Sequence, residues 1–297
     1  MKNKAYIITG PTASGKSDFA HALARRVGGA IINCDSVQIY RDIENISASP
    51  IATCPDFDGT IDGVPYMLFS ILSLDRQLSV AEYQHLARDA YDATIAAGRV
   101  PVFVGGTGYY INAIVNGISP MPEIDDATRA RAREMVRDDI DTARKILGDA
   151  FPATDPQRTA RALEVFLQTG HHITEFQSAP RIGGFAGHAT RILIDPPADL
   201  LRTRIAARIP KMIDGGAITE AQRIIDNNWN DNRAIGAAQL CAYLRGEISR
   251  DVCIENWITK TNQYAKRQRT WFRTQFNADI KINRVPADAD IDAIISY

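Results

Sequence analysis

Residues 10 to 17 read Gly10-Pro11-Thr12-Ala13-Ser14-Gly15-Lys16-Ser17, a complete G-x-x-x-x-G-K-[ST] run placed directly after the apolar stretch Ala5 to Ile8. Glycine at both ends lets the backbone turn so that successive amide N–H groups converge, which makes a cradle for phosphate oxygens. Lys16 adds a point charge for the outer phosphate, and the Ser17 hydroxyl suits one coordination position of a Mg²⁺. The run therefore predicts a polyphosphate site of the nucleotide- or ATP-binding kind. It leaves open whether the phosphates belong to a nucleotide to be hydrolysed, a phosphoryl donor, or a leaving group on another molecule. The bland alternative is a Gly-rich turn with an exposed lysine, and placement between an apolar run and a helical pattern argues against it.

Two further places carry chemistry. The run Ile31-Ile32-Asn33-Cys34-Asp35 reads as a strand that ends in a carboxylate. Facing a phosphate loop, Asp35 can be a Mg²⁺ ligand or a base that takes a proton from a nucleophile. The densest basic cluster is Lys266-Arg267-Gln268-Arg269-Thr270-Trp271-Phe272-Arg273; from Arg250 to Arg284 there are eight Lys or Arg against three Asp or Glu. On a helix, Arg267, Thr270 and Trp271 share one face, and Lys266, Arg269 and Arg273 another. Basic side chains interleaved with aromatics suit a nucleic-acid backbone with bases stacked against it. An amphipathic helix with Trp271 and Phe272 in the core explains the same residues equally well.

Elements able to position these groups follow from the apolar pattern. Tyr6 to Thr9, Ala30 to Cys34, Met67 to Leu72, Val100 to Val104 and Thr190 to Asp195 read as strands. Ser17 to Arg26, Val80 to Ala97 and Leu200 to Ile213 read as helices, and residues 50 to 65, rich in Pro and Gly, as a loop. Alternating strand and helix predict an α/β fold, a P-loop NTPase-like parallel sheet with helices on both faces. Ligands of such sheets lie beyond the carboxyl ends of the strands, where the 10–17 loop, Asp35 and Thr107 all fall. Residues 125 to 180 carry helical periodicity without a convincing strand, so an all-helical domain is expected as an insertion over 118–188. It interrupts a core domain formed by 1–117 and 189–297. Within the insertion, Arg129, Arg131 and Arg133 are balanced by Asp138, Asp139 and Asp141, as on a solvated face.

Composition sets the class. The chain of 297 residues is 45% hydrophobic and 23% charged with net charge −1, so bulk attraction for nucleic acid is excluded and an anionic partner must be met by a local patch. Cys34, Cys54, Cys241 and Cys253 form no C-x-x-C pair, Met1 to Lys4 run into a strand without a signal-peptide layout, and no apolar stretch approaches the roughly 20 residues that span a bilayer. A reduced, cytoplasmic enzyme away from the membrane is expected, for which a monomer suffices.

Five segments, in order, resemble the bacterial tRNA dimethylallyltransferases over nearly the whole chain. They are Gly10 to Ser17, Asp35-Ser36-Val37-Gln38-Ile39-Tyr40, Gly105-Gly106-Thr107-Gly108-Tyr109-Tyr110, Asp155 to Val165, and Lys266 to Arg273. The resemblance implies transfer of a dimethylallyl group from dimethylallyl diphosphate to N6 of the adenosine adjacent to the anticodon, position 37, of tRNA, with release of diphosphate. It implies Asp35 as the base, Thr107 near the reaction centre, and Lys16 with the 10–17 loop on the leaving diphosphate, aided by Mg²⁺ held partly by Ser17. Arg208 is a weaker candidate for a diphosphate contact, its alternative being a surface charge on a helix. For tRNA, the resemblance implies contacts at Asp35, Ser36, Val37, Gln38, Thr107, Arg129, Gln157, Arg158, Thr159, Ala160, Arg161 and Lys266 to Arg273 (Lys266, Arg267, Gln268, Arg269, Thr270, Trp271, Phe272, Arg273), and at 234–239. The helical insertion is thereby implicated in holding the anticodon stem-loop. Ser49 stands where the family usually has a basic residue, Tyr66 where a histidine is common, and Gly236-Ala237-Ala238-Gln239 where it has Gly-Tyr-basic-acidic. The rival reading is a P-loop small-molecule or nucleotide kinase, which has little use for a basic aromatic helix.

Overall fold

The computed structural model describes residues 4–54, 56–148 and 155–296; Met1 to Asn3, Pro55, the 149–154 stretch of the expected insertion and Tyr297 lie outside the described residues. These residues form two compact units, one of 1–115 with 185–297 and one of 116–184.

The first unit is built on strands β1 (Tyr6–Thr9), β2 (Gly29–Asn33), β3 (Thr60–Ile61), β4 (Val64–Met67) and β5 (Val100–Gly105), with helices α1 (Lys16–Val27), α2 (Val80–Ala96) and α3 (Gly108–Asn116). The second unit holds α4 (Asp126–Asp138), α5 (Ile140–Leu147), α6 (Pro156–Thr169) and α7 (Ile173–Gln177). The chain then returns through β6 (Thr190–Ile194), α8 (Ala198–Met212), α9 (Ile218–Asp226), α10 (Ala237–Leu244), α11 (Arg250–Gln275), β7 (Ile280–Ile282) and α12 (Asp288–Ser296). The strand order is β3-β4-β2-β5-β1-β6-β7. All neighbours are parallel except the β3–β4 pair, so the chain has the α/β sheet its pattern predicts.

Why the central strands read as unbroken apolar runs is visible in their packing. Ile7, Ile32, Phe103 and Leu193 face one core shared with α2, α3, α8 and α11. Their alternates Tyr6, Ile8, Ile31, Val102 and Ile192 face a second core closed by Phe19, Leu23 and Ala24 of α1 and Ile291 and Ile294 of α12. A sheet covered on both faces favours apolar residues on either side, and the buried Thr9 and Asn33 at its strand ends are hydrogen-bonded. Each fully buried Ile in it is worth about 1.5–3 kcal/mol. The second unit has its own core, with Ala132, Val136, Leu147, Leu163 and Val165 buried.

Two expectations shift. The strand expected over Met67–Leu72 is Val64–Met67, because Leu68 (φ 64°) and Ser70 (φ 50°) enter the left-handed region and end the extended run. The residues beyond bond instead to the loop after β2, Ser70 N–H to Gln38 O at 3.1 Å and Arg41 N–H to Leu72 O at 2.8 Å. The stretch expected as a loop contains a hairpin, β3–β4, whose turn is Asp62-Gly63 with both φ positive (47° and 75°). That is the geometry a two-residue type I′ turn requires. Among the described residues no helix is long and apolar enough to cross a membrane.

Candidate active site

The loop Gly10–Ser17 joins β1 to α1. Since α1 begins at Lys16, the amides of its first turn lack intrahelical acceptors and carry the positive end of the helix dipole. The loop is closed by Ser14 N–H to Pro11 O at 3.3 Å. Thr12 N–H is taken by Gln268 Oε1 at 2.8 Å, so of the amides expected to cradle phosphate this one is engaged inside the protein. Lys16 Nζ lies 3.4 Å from Pro11 O. Burial pushes its ammonium down from 10.5 to about 8, Asp35 pulls the other way, and Arg208 adds to the depression.

At the end of β2 the buried Asn33 shapes the Asp35 turn. Its Oδ1 accepts from Asp35 N–H at 2.8 Å and its amide donates to the Asp35 and Leu68 carbonyls, both at 3.0 Å. The Asp35 carboxylate accepts from Val37 N–H at 3.0 Å. Thr107, following β5, locks the same turn from the neighbouring strand. Its Oγ1 accepts from Ser36 N–H at 2.9 Å and donates to Ser36 Oγ at 3.1 Å, while Thr107 N–H reaches Cys34 O at 3.2 Å. Gln38 donates to the Ser47 and Ala48 carbonyls, and the buried Glu220 accepts from the backbone N–H groups of Asn45 and Ile46 at 2.8 Å, so α9 holds the loop before Ser49.

Both ends open on one cavity of about 760 Å³. Its wall includes Thr12, Lys16, Ser17, Asp35 to Gln38, four arginines (Arg204, Arg208, Arg233, Arg267), and apolar surface from Ile46, Ile209, Met212, Ile235 and Trp257. Arg208 is not a surface charge. It donates to Thr12 Oγ1 at 2.8 Å, and burial together with nearby Arg204 depresses its pKa while Asp35 opposes the shift. Buried guanidinium nitrogens with no partner among the described residues remain at Arg204 Nη1, Arg208 Nε and Arg233 Nε. A buried donor left unpaired is costly, and these nitrogens are donors the wall can offer to an anion. Among the described residues there is no cluster of three or more His, Cys, Asp or Glu suited to a metal. The Ser17 hydroxyl with the neighbouring Asp18 carboxylate on the same wall is an all-oxygen set. It fits a Mg²⁺ that keeps most of its ligands from water and substrate phosphates.

The basic helix divides in the structure. Lys266, Arg267 and Thr270 are exposed, Trp271 is half-buried, and Gln268 and Phe272 are buried. Arg269 and Arg273 both pair with the buried Asp195, Nε to carboxylate at 2.6 and 2.7 Å. In the second unit, Gln157 and Arg158 are exposed at the start of α6, whereas Thr159 and Ala160 are buried. Arg161 and Arg133 pair with Glu164, and Arg129 with Asp126 at 2.7 Å. At 234–239 no side chain takes the place of the usual basic residue; Gly236 (φ 106°) packs so that a Cβ there would lie 2.2 Å from Trp257 Cε2. Ser49 is buried, and the Tyr66 hydroxyl meets His21 Nδ1 at 2.9 Å.

Three residues on the wall go beyond those the sequence reading names. Tyr264 interacts through its hydroxyl with Thr107 and Gln268 and is raised above the usual phenol range by burial and Asp35. Its spacing of four from Gln268 on α11 is the signal that could have found it, as the spacing of four from Arg208 is for Arg204. Arg233, bonded to the Tyr40 hydroxyl at 3.1 Å, lies in a short turn with no periodic signal.

The IPP transferase family model matches residues 38–275, and an isopentenyl transferase model matches residues 3–60. The tRNA dimethylallyltransferase of Sphingopyxis alaskensis is 39% identical over 283 residues, which cover 91% of this chain and 89% of that protein. The crystal structure of the tRNA isopentenylpyrophosphate transferase from Bacillus halodurans superimposes with a TM-score of 0.68 at 28% identity, covering 99% of this chain and 95% of that one. A eukaryotic dimethylallyltransferase acting on tRNA shares the fold, with a TM-score of 0.74 at 22% identity over 99% of this chain and 78% of that one.

Proposed function

This chain belongs to the IPP transferase family, and from that membership and the cavity's chemistry we propose that it transfers a dimethylallyl group from dimethylallyl diphosphate to N6 of the adenosine at position 37 of tRNA, releasing diphosphate. The observation that carries the reading is the shared cavity. A phosphate loop with Lys16, buried arginine nitrogens with no partner among the described residues, and the Asp35 carboxylate all line it. Curated relatives with this name favour prenyl transfer over the kinase alternative.

An adenine amine is a weak nucleophile because its lone pair is delocalised into the ring. Asp35 accepts the N6 proton as the C–N bond forms, and Thr107 and Asn33 keep its turn in place. As the allylic C–O bond breaks, charge builds on the diphosphate. Lys16, Arg208 and the first-turn amides of α1 stabilise it, and Arg204 supplies a further donor. Mg²⁺, held by Ser17 and the diphosphate oxygens, would neutralise part of that charge when bound. The target base must leave its stack to reach the cavity. The exposed Lys266, Arg267 and Thr270 of α11, and the exposed Gln157 and Arg158 with the half-buried Arg129 of the helical unit 116–184, are the groups assigned to the anticodon stem-loop, with affinity from phosphate contacts that weakens with salt. The protein acts as a cytoplasmic monomer in this reading.

The test is incubation of the purified chain with Mg²⁺, dimethylallyl diphosphate and unmodified tRNA, followed by mass analysis of the nucleosides. N6-dimethylallyladenosine supports the proposal. Phosphorylation of a small molecule by ATP with no altered nucleoside overturns it.

A further inference from the structure

The resemblance assigns Gln268 to the tRNA, but its side chain is buried and both ends of its amide are used within the protein. Oε1 accepts from Thr12 N–H at 2.8 Å, and Nε2 donates to Gly106 O at 2.9 Å. The amide orientation is fixed by these partners, since a flip would set donor against donor and acceptor against acceptor. The approach is close. A Cβ on Gly106 would lie 2.3 Å from Gln268 Nε2, so the second glycine of the Gly105–Gly108 segment makes room for this contact. The stretch of α11 carrying Gln268 is itself anchored, through Arg269 and Arg273, to Asp195 beyond the end of β6.

One side chain therefore joins the loop after β1 to the loop after β5. We propose that Gln268 is a positioning residue rather than an RNA contact: it holds the Thr12 amide, and so the diphosphate cradle, in register with the Thr107–Asp35 turn. Through Thr12 it also sets the hydroxyl that Arg208 engages, so its loss displaces two of the groups that meet the diphosphate. Displacements near 1 Å at a reacting centre cost up to about 10²-fold in rate.

The inference rests on reading the 10–17 loop as the diphosphate site. Gln268→Met keeps the volume and removes both hydrogen bonds, whereas Gln268→Asn is one methylene too short to span both loops. The readouts are inorganic diphosphate affinity, the KM for dimethylallyl diphosphate, tRNA affinity, and hydrogen–deuterium exchange over residues 10–17. Both variants are expected to weaken diphosphate binding and raise that KM at least about tenfold. Faster exchange of the loop amides and tRNA affinity within about twofold of the parent should accompany this. Should Met destabilise the fold, the Asn variant and its exchange pattern carry the test. Unchanged diphosphate affinity with weakened tRNA binding overturns the assignment in favour of an RNA contact. Lys16→Ala measured in parallel separates the failures: if it leaves diphosphate affinity intact, the loop reading itself is wrong, and if it weakens affinity while the Gln268 variants do not, only the positioning role falls.

Discussion

Arg208 donates to the hydroxyl of Thr12 at 2.8 Å, which ties α8 to a loop 196 residues earlier in the chain. The bond leaves Arg208 Nε buried with no partner among the described residues, so the guanidinium is held by one edge and has another edge to offer. Hydrogen bonds to charged groups are worth about 1.5–3 kcal/mol. Arg208→Ala should accordingly raise the KM for dimethylallyl diphosphate by roughly 10- to 100-fold while leaving the KM for tRNA near that of the parent. Arg208→Lys should recover only part, since a single ammonium cannot meet Thr12 and the anion in the fork geometry of arginine. Steady-state kinetics with each substrate varied in turn checks both.

Lys16 gives a pH dependence whose sign is fixed. In the ligand-free protein its pKa is depressed to about 8, so it is charged below that pH and neutral above it. Diphosphate affinity should hold below pH 8 and decline above it, by at most about tenfold per unit, if the loss of this charge is limiting. Folding stability moves the other way. The unfolded chain, titrating near 10.5, binds the extra proton between about 8 and 10.5, so this group's contribution to ligand-free stability rises with pH across that window. In Lys16→Arg, which stays charged, the decline in affinity should vanish; titration calorimetry with diphosphate from pH 7 to 10 reads it.

Asp195 is nearly buried and serves two arginines unequally. The Arg269 side chain is 18% exposed and that of Arg273 57%. Asp195→Ala strands the charge on Arg269, for which about 2–4 kcal/mol of destabilisation is expected, while the Arg273 half is screened by solvent. Urea unfolding of the single and double variants should give a larger coupling for Asp195–Arg269 than for Asp195–Arg273. An equal or reversed ranking contradicts this division.

What could be read from the chain was local. The phosphate loop is eight consecutive residues, and the central strands are contiguous apolar runs whose two-sided burial needs no long-range information. Asp35 and Thr107 could be brought together because both follow parallel strands. The Asp62-Gly63 hairpin carried a local signal that the surrounding prolines and glycines masked. The partners of Gln268, Arg269 and Arg273 were hidden for another reason. Basic composition at 266–273 is the same whether the arginines meet a phosphate or Asp195, and only the packing of α11 over the sheet decides. Arg233, in a short turn without periodicity, reaches the cavity through tertiary placement alone.

The Asp35 carboxylate is the centre of the account, and Asp35→Asn isolates its chemistry. Asparagine keeps the Oδ1 acceptor for Val37 N–H, so the turn is retained while the capacity to take the N6 proton is lost. Single-turnover prenylation of unmodified tRNA at saturating dimethylallyl diphosphate is the direct measurement. A fall of about 10²–10⁴-fold with tRNA affinity within about twofold of the parent is the predicted result. Prenylation by the Asp35→Asn protein at a rate near that of the parent would contradict it.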